Sequence, residues 1–311
     1  MLSRISAIGL NTYREAVRAR LLLGVFALSL ATSAYSLVVA AMSLGNGARV
    51  VADLGAASFS LYGVLVAIVL GSTSLHRELE YKTIFPILSR PIRRWEYLIG
   101  KYFGAMITVA VFIAIEMAAV LGMLAVETGL AAWKVSAAVA GMLLVLLVSW
   151  LRVSRMGRVF VFIPWALAMA VFAWLIAATA PEERQLVTAS AVLGLCEIAV
   201  VAAVATLFAS FSSPFLTATF TAMIFVIGRS ADTLAHLPKR AFGQSVSTGG
   251  RALAHIFPNL HVYVPPRPIL LGQVANQPVW LYVGWAALQA VFYSTVLLAG
   301  GALAFRKRDF S

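Results

Sequence analysis

Two carboxylates, Glu116 and Glu197, sit inside long runs of Ala, Val, Leu and Ile. At mid-bilayer an ionised side chain costs about 2.5–3.5 kcal/mol on insertion scales, so each must face protein or water, or carry a proton. Two roles fit: a place on a translocation path or in a gating pair, or a neutral carboxyl hydrogen-bonded to a neighbouring helix. Neither specifies bond-making chemistry. His76 and Glu80 stand four residues apart, but HRELE lacks the second histidine of a zinc-protease helix. His236, His255 and His261 have no cysteine partners, so no metal site is expected. Gly71-Ser72-Thr73-Ser74 has only a superficial likeness to a nucleophile loop, with no base placed near it. A phosphate-binding G-x-x-x-x-G-K-[ST] is absent, and Gly100-Lys101 runs straight into Tyr102. No catalytic residue and no bound cofactor are expected, and the chain is not expected to hydrolyse ATP alone.

The densest chemistry lies elsewhere, in HRELEYKTIFPILSRPIRRWEYLIGKYFG at 76–104. This stretch gathers acids, bases, aromatics and prolines between two apolar runs, each long enough to cross a bilayer. Such a mixture beside a membrane has the profile of a docking surface. Pro91 suits the first turn of a helix, where its missing N–H needs no partner, and Ser89 is a candidate cap. Arg94 and Glu96 would then be displayed beside Trp95 and Tyr97, charges and aromatic anchors suited to a specific interface. The plain alternative is that the basic residues enforce topology and the aromatics belong to the interfacial belt.

The elements around these residues follow from composition. Hydrophobic residues make up 61% of the 311, charged residues 12%, and the mean hydropathy is +0.92. A soluble domain has about a quarter of its residues charged, so the chain reads as an all-α polytopic membrane protein. The single cysteine, Cys196, excludes an intrachain disulfide. The net charge of +12 has a topological cause, since Lys and Arg gather in segments assigned to the cytoplasmic side. No basic stripe is left over for nucleic acid.

Windows of about 20 apolar residues, enough for ~30 Å of hydrocarbon, place eight spans. They cover Leu21–Met42, Ala56–Leu75, Ile99–Val126, Trp133–Leu151, Val159–Ala180, Leu186–Ala209, Pro214–Gly228 and Trp280–Phe305. Residues 1–20 alternate an apolar face (Leu2, Ile5, Ile8, Thr12, Ala16) with Arg4, Asn11, Arg14 and Arg18 at a period near 3.6, which predicts an interfacial helix rather than a signal peptide. The Arg152, Arg155 and Arg158 break, with Gly157, must be a hairpin. Residues 230–278, rich in glycine and proline yet partly apolar, read as an outer cap that dips into the interface. With both termini inside, the inside segments hold sixteen of the twenty-four Lys and Arg residues. Gly100-x-x-x-Gly104 reads first as a packing motif.

Several ordered segments carry a resemblance. They are Glu78-x-Glu80-x-x-Thr83, then Leu88-Ser89-Arg90-Pro91-Ile92-x-Arg94-x-Glu96-Tyr97-Leu98-x-Gly100-Lys101-Tyr102-x-Gly104, with NTYREAVRAR, VVADLGAASFSLYGVL, LFASFSSP at 207–214, FPNL at 257–260 and FRKRDF. Together they resemble ABC-2 type permeases, in particular the subgroup that contains the permease of the nitrous-oxide-reductase maturation system.

The resemblance implies a type V exporter-like transmembrane domain in a bacterial inner membrane, homodimeric, served by two copies of a cytoplasmic ATPase that binds ATP and magnesium. It implies that 76–98 is a coupling segment with Glu78, Glu80, Thr83, Arg90, Pro91, Arg94, Glu96 and Tyr97 as contacts. Ser212, Ser213 and Pro214 form a candidate second cytoplasmic contact, for which a tight turn is the rival explanation. Such permeases usually have six spans, so 133–181 reads as an inserted hairpin. The implied work is export or extraction of an amphiphilic or lipid-linked cargo. Two rivals stay open: an ATP-driven transducer acting on an extracytoplasmic partner, and a stand-alone channel or ion-coupled carrier using Glu116 and Glu197.

Overall fold

A computed structural model describes residues 2–80, 93–155, 157–237, 239–274 and 278–306, and every regular element among them is helical. In chain order these are α1 (Leu2–Val17), α2 (Arg20–Ala41), α3 (Gly47–Glu80), α4 (Arg94–Glu127), α5 (Ala132–Arg152), α6 (Phe162–Ile176), α7 (Pro181–Ala209), α8 (Pro214–Arg229), α9 (Ala231–Ala235), α10 (Lys239–Ile256), α11 (Arg267–Leu270) and α12 (Val279–Arg306). Short 3-10 turns precede α6 at Arg158–Val161 and follow it at Ala177–Thr179, and another lies at Leu260–Tyr263.

Among the described residues seven helical segments are long and apolar enough to cross a membrane: α2, α3, α4, α5, α6 with its flanking turns, α7 and α12. The eighth expected span, Pro214–Gly228, forms α8, whose 16 residues reach only about 24 Å. Helix α8 runs back along α7 and ends where Arg229 meets Glu197, only twelve residues from the Ala209 end of α7. Beyond it, the Leu260–Tyr263 turn and α11 pack on α7, and α9 packs on α8 and that turn.

Helix α7 is the centre of the bundle. Its residues Leu193, Ile198, Val200 and Ala203 are fully buried, and α3, α4, α8 and α12 surround it. Helices α3 and α4, 34 residues each, are about 51 Å long. Each therefore exceeds ~30 Å of hydrocarbon by several turns, and the excess of both adjoins 81–92.

Helix α1 has the expected amphipathic pattern, but its apolar face is covered by protein. Gly9, Thr12, Tyr13 and Ala16 are buried, and the face lies on the first turns of α4. Gly100 and Gly104 make that approach close: a Cβ on Gly104 would stand 2.4 Å from the Gly9 carbonyl oxygen, and one on Gly100 2.7 Å from Ile8 Cβ. Lys101 reaches Glu15 at 3.9 Å across the same seam. Gly104→Leu is expected to push α1 away at a cost of about 1–3 kcal/mol. Thermal unfolding in detergent and faster amide exchange in 5–16 would report it, and unchanged exchange would refute the packing role.

The other edge of α1 is pinned by Tyr13, whose hydroxyl donates to the Val159 carbonyl at 3.2 Å. Burial pushes the Tyr13 phenol up to about 12. A raised folded value means that this stabilisation is full below the ordinary value near 10 and is lost as pH rises through 12. In a difference titration at 295 nm, subtracting Tyr13→Phe should remove a late ionisation step, not one near pH 10.

Candidate functional site

Four groups of residues stand out, ordered from one end of the bundle to the other. At the end where α3 leads out and α4 leads in, Glu78 and Glu80 lie on the last helical turns of α3. Thr83, Arg90 and Pro91 lie outside the described residues, as does most of the proposed 76–98 segment. Helix α4 starts with a capping box in which the Arg93 backbone N–H donates to Glu96 Oε2 at 3.1 Å. The Arg94 guanidinium donates to the Phe305 carbonyl at 3.2 Å, fastening α4 to the end of α12. Here the structure differs from the display that the sequence suggests. Glu96 is 4% exposed and Tyr97 fully buried against Leu98, Ala209 and Phe305. The i, i+3 bond of Glu96 to its own helix start, and the apolar seam that takes Tyr97, turn both side chains inward.

On the same side, between α7 and α8, Ser212 bonds the Phe208 carbonyl and the Thr217 hydroxyl, each at 2.8 Å. Ser213 caps α8 by accepting from Leu216 N–H at 3.4 Å, and Pro214 fills the first helical position. All three residues have a local structural part in making the hairpin.

Glu116 and Glu197 are both fully buried, and the structure does not bring them together. Glu116 faces α2, where Ser29, Ser33 and Ser36 make a buried stripe at helical spacing. Its Oε2 accepts from Ser33 Oγ at 3.3 Å, and Ser33 also meets Ser58 of α3 at 2.7 Å. Its Oε1 finds no hydrogen-bond partner among the described residues. Small hydroxylic residues allow close helix approach in membranes and satisfy a buried carboxyl. The serine stripe, i, i+4 and i+7 in an otherwise apolar helix, was the sequence signal for this partner.

Glu197 sits on the other side of α3. Arg229, the last residue of α8, forms an ion pair with Glu197 Oε1, and Ser60 Oγ donates to Glu197 Oε2 at 3.0 Å. Ser58 and Ser60, two residues apart, point to nearly opposite sides of α3, which explains the separation of the two acids. The sequence placed Arg229 at the edge of the outer segment, and the chain instead turns it into the bundle. A cation at a helix C-terminus also meets the negative end of the helix dipole.

Above this pair a cleft of about 190 Å³ opens between α3 and α7. Asp53, Ala56, Ala57 and Ser60 line it from α3, and Leu186, Ser190 and Gly194 from α7, each set at one-face spacing. Arg229 lies at its floor. At its mouth Arg267 of α11 bonds Asp53 Oδ1 at 2.5 Å and pairs with Glu183, joining the starts of α3 and α7. Tyr263 also lines the cleft at 3% exposure, and its hydroxyl finds no partner among the described residues. The cleft is thus closed below by one ion pair and bounded above by a three-way one. Among the described residues that line it, no acid, base and nucleophile stand together as a set.

A bundle of long apolar helices with an amphipathic N-terminal helix and a polar break between α3 and α4 agrees with a comparison with known families. The family model described as ABC-2 family transporter protein matches residues 14–310. The chain belongs to the ABC-2 transporter family. Proteins of this family are membrane subunits of ABC transporters, and their partner is a cytoplasmic ABC ATPase. No curated protein matches the chain.

Proposed function

We propose that this ABC-2 family chain is the permease subunit of an ATP-driven transporter, working as a homodimer with two copies of a cytoplasmic ATPase. ATP and magnesium bind on that partner, and this chain contributes no nucleotide site. The supporting observation is the pair of helices α3 and α4, which are long enough to carry motion from the bilayer to 76–98 without a hinge. Glu78, Glu80, Thr83, Arg90, Pro91 and Arg94 form the coupling contact. Glu96 and Tyr97 act behind it, fixing the start of α4. The Ser212, Ser213 and Pro214 turn is a second, smaller contact.

In this reading both termini face the cytoplasm, the membrane is the bacterial inner membrane, and 230–278 is the outer cap. The cargo is amphiphilic or lipid-linked, and Glu197 and Arg229 gate the inlet on its path. Glu116, held in its serine cradle, keeps α2 against α3 and α4.

Co-purification of the ATPase is the test. The tagged chain in mild detergent should bring an ATP-binding subunit with it, and the Glu78→Ala, Glu80→Ala, Arg94→Ala triple variant should lose most of it while staying monodisperse. If the wild-type chain, folded and dimeric, brings no ATPase, the transporter reading fails.

A further inference from the structure

Arginines gather at one end of the bundle from elements far apart in the chain. Arg20 opens the α2 span, Arg152 closes α5, and Arg158 opens the segment that carries α6, so all three stand at the ends of membrane-crossing helices. Tyr13 brings α1 to the same place: its hydroxyl donates to the Val159 carbonyl at 3.2 Å, and its ring stacks on Phe160 with centroids 6.1 Å apart. The placing of two further arginines follows from helix geometry. At about 100° per residue, Arg14 and Arg18 lie about 100° and 140° round α1 from Tyr13, on the side away from Thr12 and Ala16, which are buried toward α4.

Acids do not neutralise this cluster. Glu15, the one acid of α1, is turned to the far side, where Asn11 and Lys101 meet it at 2.6 and 3.9 Å. Among the described residues, Arg14, Arg18, Arg20, Arg152, Arg155 and Arg158 form no ion pair. Arg14 and Arg158 each hold a buried Nε–H with no hydrogen-bond acceptor among those residues, a costly arrangement for a donor shut off from water. Arg158 is also held flat, its guanidinium carbon 4.1 Å from the Trp150 ring centroid. Stacking occupies the face of a guanidinium and leaves its N–H edge for an oxyanion.

We infer that this cluster binds the phosphate of an anionic phospholipid in the adjoining leaflet. Charge sets the sign of the ligand, and position sets its kind. Basic pockets between spanning helices at a membrane surface take anionic headgroups, and the guanidinium fork matches phosphate oxygens. Tyr13 and Val17, each one residue before an arginine of the cluster, line an apolar cleft together with Leu22 and Phe26 of α2 and Phe162 of α6. Beside the arginines there is thus an apolar wall, which suits an acyl chain and offers nothing to an acidic polypeptide. The site needs neither ATPase nor cargo.

The purified full-length chain in mild detergent, without ATPase, is titrated with phosphatidylglycerol and read by native mass spectrometry. Wild type should bind it about tenfold more tightly than phosphatidylcholine, whose headgroup has no net charge. One arginine at an anionic surface is worth about fivefold in affinity. Arg158→Gln should therefore weaken phosphatidylglycerol binding about fivefold, and Arg14→Gln with Arg18→Gln about twenty-fivefold. Arg158→Lys, which keeps the charge, should recover part of the affinity and separates loss of the site from loss of the fold. Lys134→Gln, at the opposite end of α5 from Arg152, should change nothing.

Equal phosphatidylglycerol affinity in wild type and in both monodisperse glutamine variants would overturn the proposal. So would release of the lipid by millimolar inorganic phosphate, which would make the cluster a site for soluble anions. Loss of co-purifying ATPase from these variants with lipid binding unchanged would overturn it too, and would make the cluster a protein contact.

Discussion

Arg229→Ala is expected to lower the stability of the chain by about 3–5 kcal/mol, the usual cost of leaving one partner of a buried ion pair alone. Glu197 is fully buried and its other contact is a single serine hydroxyl, but Arg229 is 31% exposed at the floor of the cleft, which places the loss at the lower end of that range. The decisive comparison is a cycle. Glu197→Gln with Arg229→Gln removes both charges and keeps hydrogen-bonding groups of similar size, so it should recover most of the lost stability. Thermal unfolding of wild type, Glu197→Gln, Arg229→Gln and the double variant in one detergent measures this. Additive losses would mean that the two side chains do not act as a pair. The same double variant separates architecture from function: a gating role predicts a folded, ATPase-binding protein with defective transport, and a purely structural role predicts normal transport.

The second large effect concerns the mouth of the inlet. Arg267 touches Asp53 and Glu183, residues 214 and 84 positions away in the chain, with its own side chain 17% exposed. Arg267→Ala should free α11 and the Leu260–Tyr263 turn from the starts of α3 and α7. Charge-assisted hydrogen bonds are worth about 1.5–3 kcal/mol, and every 1.4 kcal/mol is tenfold in an equilibrium. Amides in 260–272 should therefore exchange about ten to a hundred times faster, with those of α7 little changed. Arg267→Lys should rescue only in part, because a point charge cannot reproduce a planar fork shared by two acids. Exchange in 260–272 equal to wild type would show that the turn is held by its apolar contacts alone.

Local sequence was enough for much of this architecture. Hydropathy windows placed the apolar segments, Gly157 and three arginines marked a hairpin, and the 3.6 period drew α1. These are properties of neighbours along the chain, and the physics that fixes them, capping and the length needed to cross hydrocarbon, is local too. The eighth window is helical throughout, but the 16 residues of α8 reach only about 24 Å, short of ~30 Å of hydrocarbon, and a polar stretch follows from Arg229.

Partnerships were not legible in the same way. In a soluble protein apolar residues mark the inside, but a bilayer makes both faces of a spanning helix apolar. Helices α5 and α7 therefore read alike in sequence, although α5 buries none of its residues and α7 is the core of the bundle. For the same reason α1 looked like a helix for the lipid surface when its apolar face belongs to α4. The polar residues were visible, but most of their mates were not: Glu197 chose Arg229 and Arg267 two acids on separate helices, whereas only the partner of Glu116 left a trace, the serine stripe of α2. Glu96 and Tyr97 looked ready for display until the ends of α4, α7 and α12 closed around them. The sequence by itself determined that this chain crosses a membrane many times and where it breaks. Only the tertiary structure decided which charges meet, because a low-dielectric interior makes an unpaired charge so costly that packing, not spacing, selects its partner.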